Sequence, residues 1–339
     1  MYLLPDVKKQ FRANTHTHSI LSDGKLSPEE LKEKYKNEGY DILAITDHEL
    51  CIDHSDLNDE DFLTLTAYEV ATNDVNDKLK KHTYHFNLIS KTPNNTKQVF
   101  FHPDDLGGRR DKYLDMIVCD EYKKREYSVE CMNELIREAN EAGYLVVYNH
   151  PTWSLQNWTD YSGLHGLWGV EIINGVCIKM GHEDYQPHVF DDLLKLGNRI
   201  FPIAADDIHR PEQAFIGYLM IAAETLTYES VISALEAGDF YATSGPRINE
   251  LTFDGGILKI KTSDAVQIRV CTENRRRYVT DITKNDGKLI NEAAFDISEW
   301  IESSKGASDC FFRVAVVGAD GHMAYTRAYF ADQLPTACN

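Results

Sequence analysis

Positive charge is scarce in this chain. Lys and Arg number 35 against 54 Asp and Glu, which leaves a formal charge of −19. Nucleic-acid binding needs a basic face that displaces counterions, and no basic stripe interleaved with aromatics is visible. A nucleic-acid partner is therefore not expected. Long apolar runs are missing too. None approaches the length that crosses a bilayer, so no membrane partner is expected. Residues 1–11 lack the apolar core of a signal peptide, which makes a cytoplasmic protein the default expectation. The cysteines at 51, 119, 131, 177, 271, 310 and 338 form no CxxC pair and are odd in number. They read as buried or free thiols in a reducing compartment, not as a disulfide framework or a zinc ribbon.

What is present is an ordinary globular composition, 42% hydrophobic and 26% charged over 339 residues, enough for one large domain and a smaller one. Short apolar runs rich in Ile, Val, Leu and Tyr predict strands at 11–16, 41–46, 62–70, 85–90, 144–149, 169–174, 199–205 and 214–222. Helix-like segments separate them. Ser27, Pro28 and Glu30 form a capping box, and Gly39, Gly143 and Gly197 stop three helices. Strand–helix alternation of this kind predicts an α/β fold with a parallel sheet or barrel. Residues 91–128 break the rhythm with Pro93, Pro103, Gly107 and Gly108, as a functional lid or a surface excursion would. From Ile248 onward the runs shorten and alternate, with turn pairs at Asp254–Gly255, Asp286–Gly287 and Asp320–Gly321. That texture predicts an antiparallel, β-sandwich-like domain over 246–339, after a first domain over 1–245.

The chemistry is carried by His, Asp and Glu. His16 and His18 flank one threonine, and at i and i+2 on an extended chain both imidazoles point the same way. Two surface histidines would be the plain reading of that pair alone. Asp23 follows in a turn, Asp47–His48 follows the second predicted strand, and Glu69 closes the third. His85 opens the fourth, His150–Pro151 follows the fifth, and Asp207–Ile208–His209 follows the seventh. Most fall at the carboxyl ends of strands, which converge on one face of a parallel barrel. Nitrogen and carboxylate ligands without thiolates suit zinc, manganese or iron.

The four segments His16-Thr-His18, Thr46-Asp47-His48, Asn149-His150-Pro151 and Asp207-Ile208-His209 occur in the order found in the PHP (polymerase and histidinol phosphatase) family. Glu69 and His85 match the acid and histidine between them, and the resemblance covers roughly 11–245. The segment Phe240-Tyr-Ala-Thr-Ser-Gly-Pro246 and the β-rich tail resemble a two-domain branch with phosphoesterases and carbaryl-type ester hydrolases. The resemblance implies a distorted seven-stranded (β/α) barrel and two or three divalent ions. His16, His18, Glu69 and Asp207 would hold one ion; Glu69, His85 and His150 a second; Asp23, His48 and His209 a third. Asp23 stands where some relatives have His.

Such a centre lowers the pKa of water from about 15.7 towards 7, so a hydroxide shared by the ions would attack a small phosphate ester without a Ser or Cys nucleophile. Asp207 or His209 would pass a proton to the leaving oxygen. Arg210 and Arg109, with Arg110, are candidates to hold phosphate oxygens, against a plain reading as surface arginines. Asp47 and Asp206 are expected to orient imidazoles. Trp153, Trp158 and Trp168 are expected to pack a long loop, although they follow His150 closely enough to wall a pocket. His82 is expected at the surface, because strand alternation sets it opposite His85. Two other functions use the same ligands: hydrolysis of a carboxyl or carbamate ester or amide, and a non-catalytic metal-binding interaction module.

Overall fold

The computed structural model describes residues 1–335 apart from 8, 77, 78, 80 and 183–186. Cys338 lies outside the described residues, and no disulfide joins the other six cysteines. No helix among the described residues is long and apolar enough to cross a membrane.

The apolar runs form β1 (Tyr2–Leu4), β2 (Phe11–Asn14), β3 (Ile42–Ile45), β4 (Leu63–Asn73), β5 (Thr83–Ser90), β6 (Tyr144–Tyr148), β7 (Gly169–Asn174), β8 (Phe201–Ala205), β9 (Tyr218–Ile221) and β10 (Phe240–Thr243). Every residue of β3, β5, β6 and β7 is buried, which is why these runs lack polar alternation. Strands β2, β3 and β4 pair in parallel, as do β6, β7 and β8. Strand β5 lies antiparallel between β4 and β6, which corrects the all-parallel expectation. The reason is local: residues 74–82 are too few for a crossover, which takes about a dozen or more. The class is therefore mixed α/β. No closed ladder is seen among the described residues. Instead, just beyond β2 and β8, one parallel bridge joins Thr17 to Ile208.

Strand β9 runs antiparallel to β2 and to β10. The same sheet continues through β17 (Met323–Thr326), β16 (Phe311–Val317), β13 (Gln267–Thr272) and β14 (Arg277–Asp281), all antiparallel, with β18 (Tyr329–Phe330) beside β16. A separate antiparallel sheet orders β1, β11 (Ile248–Asp254), β12 (Ile257–Ala265) and β15 (Ile290–Asp296). Leu251, Ile260, Val270, Trp300 and Phe312 belong to one apolar core shared by the two sheets.

Two local features bear on the site. Ser27 Oγ accepts from Glu30 N while the Glu30 carboxylate accepts from Ser27 N (2.8 Å), so the helix Pro28–Asn37 starts where the capping box predicts. That helix buries Tyr35, whose hydroxyl donates to Asp206 (2.8 Å) and accepts from Asn14 Nδ2 (3.2 Å). The excursion over 91–128 is anchored. Phe101, Leu106 and Tyr113 cluster with Leu50, and the buried Arg125 guanidinium pairs with Glu49 (2.7 Å) and Asp105 (3.0 Å).

Candidate metal centre

Parallel strands deliver their last residues to one rim, and the reversed β5 delivers its first ones there. Hence His85, near the start of β5, sits opposite Ala71 of β4 and reaches the same place as residues that follow β2, β3, β6 and β8. All nine residues singled out in the sequence come together there. Their ligand atoms form four overlapping groups: His18, Asp23, His48 and His209; His16, His18 and Asp207; His16, Glu69 and His150; His48, Glu69 and His85. Glu69 shares one group with His48 and His85 and another with His16 and His150.

The backbone explains the tightest group. Asp207 N donates to His16 O (2.9 Å) and His18 N donates to Ile208 O (3.0 Å), clamping the segments after β2 and β8 together. Nε2 of His16, Nε2 of His18 and Oδ1 of Asp207 then form a nearly equilateral triangle, with edges of 3.2, 3.1 and 3.2 Å. Ligands about 2.1 Å from one ion lie about 3.0 Å apart in an octahedron and about 3.4 Å apart in a tetrahedron. Asp207 Oδ1 accepts no hydrogen bond despite two imidazole nitrogens this close, and His18 Nδ1 and His48 Nδ1 are likewise buried and form no hydrogen bond. Buried polar atoms without partners are uncommon. Asp207 Oδ1 stands in the triangle, His18 Nδ1 faces Asp23 and His48 Nδ1 faces Glu69, so such atoms stand at more than one of the four groups, which fits more than one bound cation.

Glu69 stands in the middle, 1% exposed. Its Oε1 lies 3.0 Å from His85 Nδ1, 3.3 Å from His16 Nε2 and 3.5 Å from His150 Nε2. Its Oε2 lies 3.1 Å from His48 Nδ1 and 3.4 Å from His18 Nε2. One carboxylate thus faces two sets of imidazoles with its two oxygens, the geometry of a bridging ligand. The remaining group is looser and open. Asp23 lies 3.4 Å from His209, 3.7 Å from His18 and 3.8 Å from His48, and its side chain is 54% exposed.

Sequence reasoning missed Glu171 in β7. It is buried and accepts from His16 Nδ1 (2.7 Å), His150 N (3.1 Å) and Asn174 Nδ2 (3.0 Å). A carboxylate only accepts, so His16 Nδ1 carries a proton and donates it there, and Nε2 is the ring atom that faces the triangle, as in carboxylate–histidine–metal arrangements. The available signal was an acid inside the apolar run Gly169-Val-Glu-Ile-Ile-Asn174. Asn149 Nδ2 steadies Glu69 Oε1 in the same way (2.8 Å). Two expectations need correcting. Asp47 accepts from Ser19 N (2.8 Å) and Ser19 Oγ (2.6 Å), so it holds the turn leading to Asp23 and orients no imidazole. Asp206 accepts from the backbone N–H of Phe215, Ile216 and Gly217 and from Tyr35, so it anchors the segment before β9. Gly24 completes the Asp23 turn, because a Cβ there would stand 2.1 Å from His18 O. His150 and Asp207 adopt φ of 26° and 56°, strained values that cost about 1–3 kcal/mol each and cluster at functional sites.

The electrostatics follow from burial. Desolvation works against ionised Glu69 and Asp207, yet the surrounding histidines hold both well below the usual carboxylate range. Desolvation also opposes a charge on His16, and Asp207, Glu171 and Glu69 outweigh it, raising its pKa well above the ordinary value. Burial pushes His48 down to about 3, whereas Asp23 and Asp207 overcome burial at His209 and lift it to about 9. Buried carboxylates here persist as anions only beside positive charge, carried by protons or by ions. Three divalent ions against Asp23, Glu69, Asp207 and Glu171 leave the pocket net positive by two, and two ions leave it neutral.

Two cavities flank the centre and share Asp23, His48 and His85. One, of about 440 Å³, is polar and includes Asp104, Asp105, Arg109 and Arg125. Arg109 is half-buried and donates from Nη1 to His48 O (3.0 Å) and Leu21 O (3.4 Å), which replaces its reading as a solvated surface residue. Arg110 is exposed, beside Asp104 (3.4 Å). The other cavity, of about 430 Å³, is walled by Trp153, Val176, Cys177 and Met180, with Arg210 and Gln213 also lining it. Trp153 packs edge-on against His150 and His85, with centroids 5.0 and 5.6 Å apart, so it lines the site and is more than loop packing. Trp168 lies in the core and Trp158 is exposed. His82, half-buried, stacks on Tyr127 (6.3 Å) and belongs to none of the four groups.

The fold and the site together describe a mixed α/β chain with a buried histidine–carboxylate cluster at one strand rim. No family model matches the chain, and no curated protein matches it. Among solved structures it is similar to a two-domain protein containing a predicted PHP-like metal-dependent phosphoesterase from Bacteroides vulgatus (16% identity, 97% of this chain and 98% of that one, TM-score 0.48). It is also similar to an amidohydrolase from Chromobacterium violaceum (18% identity, 60% and 89% covered, TM-score 0.40). A third is a lesion-specific endonuclease from Pyrococcus furiosus (13% identity, 67% and 56% covered, TM-score 0.38). At such distances, what this chain does rests on its own side chains.

Proposed function

We propose that the chain is a metal-dependent hydrolase of a small phosphate ester. The observation that carries this is the buried triangle of His16 Nε2, His18 Nε2 and Asp207 Oδ1, with edges near 3.2 Å, closed by the two-faced carboxylate of Glu69. His16, His18, Glu69 and Asp207 would hold one ion, Glu69 with His85, His48 or His150 a second, and Asp23, His48 and His209 a third. Zinc, manganese or iron bound there would lower the pKa of water and neutralise charge on a phosphoryl group.

The chain's own residues supply the rest. Glu171 and Asn149 fix the faces that His16 and Glu69 present. His209 Nδ1 donates to the carbonyl of Asp207 (2.9 Å), which leaves Nε2 facing Asp23 and the cavity, where it binds an ion or hands a proton to the leaving oxygen. Arg109 and Arg210 hold phosphoryl oxygens from opposite sides. The substrate is small and not a nucleic acid, given the charge of −19. The strands β2 to β8, joined at the Thr17–Ile208 bridge, support a distorted seven-stranded barrel over 1–245, flanked by a β-sandwich-like unit over 246–339.

One observation favours a second reading, hydrolysis of a carboxyl or carbamate ester: the apolar wall of Trp153, Val176 and Met180 would also seat an uncharged substrate. The test pairs elemental analysis with turnover of nitrophenyl phosphate and nitrophenyl acetate in zinc, manganese and iron. Bound metal with turnover of phosphate above acetate is expected. Acetate alone turning over would establish the second reading, and full occupancy with no turnover of either would leave a binding module.

A further inference from the structure

The two cavities beside the cluster differ in chemistry, and a phosphate ester has two ends. The polar cavity presents Glu49, Asp104 and Asp105 as well as Arg109 and Arg125, and among the described residues Ala71 is its one apolar lining residue. Arg125 is already committed to Glu49 (2.7 Å) and Asp105 (3.0 Å). The opposite cavity presents Trp153, Val176, Cys177 and Met180 and reaches Glu69, His150 and Asp207. Met180 is 60% exposed although it lines a cavity, and it follows the short helix Gly175–Lys179. The Trp153 indole is held against two imidazoles of the cluster, so its position is set by the centre itself. An exposed methionine and a fixed indole, with Val176 and Cys177, line one cavity of about 430 Å³ and give it an apolar part beside the cluster.

We propose that the leaving group of the substrate is apolar and ring-bearing: the substrate is a phosphate monoester of an aromatic or arylalkyl alcohol, its ring seated between Trp153 and Met180. This rests on the phosphoesterase reading and narrows it. Val176, Arg210 and Gln213 line the same cavity. A sugar or glycerol leaving group would strand its hydroxyls against this wall, which penalises it.

The test uses esters with leaving alcohols of similar acidity, benzyl phosphate and ethyl phosphate, so that chemistry alone does not separate them. Their non-hydrolysable counterparts, 2-phenylethylphosphonate and propylphosphonate, serve for calorimetric binding. Metal-loaded wild-type protein is expected to favour the benzyl member by about tenfold or more, both in kcat/KM and in Kd. Met180→Ala should reduce that preference severalfold, lowering benzyl phosphate turnover and 2-phenylethylphosphonate binding more than those of ethyl phosphate and propylphosphonate. Trp153→Ala should abolish it, with metal content measured alongside.

Equal turnover and binding of both pairs by wild-type protein would overturn the apolar slot and leave the phosphoesterase reading standing. So would a Met180→Ala effect of the same size on both members. If neither phosphate turns over and benzyl acetate does, the phosphoesterase reading itself falls, and this substrate assignment with it.

Discussion

Replacing Glu171 with Gln isolates what holds a ligand from the ligand itself. The carboxylate makes three contacts, with His16 Nδ1 at 2.7 Å, His150 N at 3.1 Å and Asn174 Nδ2 at 3.0 Å, and all three partners are donors. A glutamine keeps one acceptor oxygen and turns an N–H donor towards the other partners. If the oxygen stays on His16, His150 N–H and Asn174 Nδ2 lose their acceptor and face a donor instead, which costs about 1–3 kcal/mol of stability. The His16 ring keeps its orientation and loses the negative charge that makes its Nε2 basic. Outer carboxylates of this kind are worth about 10–100-fold in metal affinity, or about 1.4–2.8 kcal/mol. Competition against a chromophoric chelator measures affinity, and denaturant unfolding measures stability separately. Glu69→Gln, by contrast, removes an inner ligand and should abolish at least one stoichiometric ion. An affinity in Glu171→Gln within about threefold of wild type would refute the role assigned to this carboxylate. A loss as complete as that of Glu69→Gln would make it an inner ligand.

Two further outcomes follow from the same geometry. The group of Asp23, His48 and His209 is the most exposed, with Asp23 54% open to solvent, so chelation should strip its ion first. Asp23→Ala should lower the measured metal content by one ion and spare the buried pair, and loss of all ions together would contradict this. The His209 pKa near 9 means that the metal-free protein carries a proton there at neutral pH, so binding at that group must expel it. Affinity should therefore fall by about tenfold for each pH unit below 9. His48, pushed down to about 3 by burial, has no proton to give at neutral pH. Calorimetry in buffers of different ionisation heat counts the released protons, and none released at pH 7 would overturn the assignment.

What the chain's linear order determined was local. Ser27, Pro28 and Glu30 start a helix because a capping box closes within four residues, and the apolar runs become buried strands because their composition suits no exposed face. His16-Thr-His18, Asp47-His48, His150-Pro151 and Asp207-Ile208-His209 stand out because each follows an apolar run directly. Tertiary structure alone decided the rest, because the distances involved span the chain. Nothing within reach of Glu171 in sequence shows that it faces His16, 155 residues away. The reversal of β5, which brings His85 to the rim, depends on a connection too short for a crossover. Arg109 reaches His48 O, and Trp153 leans on His85 and His150, only once the loops fold over the strand ends. Asp47 and Asp206 were misread for the same reason: adjacency in sequence says which residues are neighbours along the backbone, while hydrogen-bond partners are chosen by packing in three dimensions.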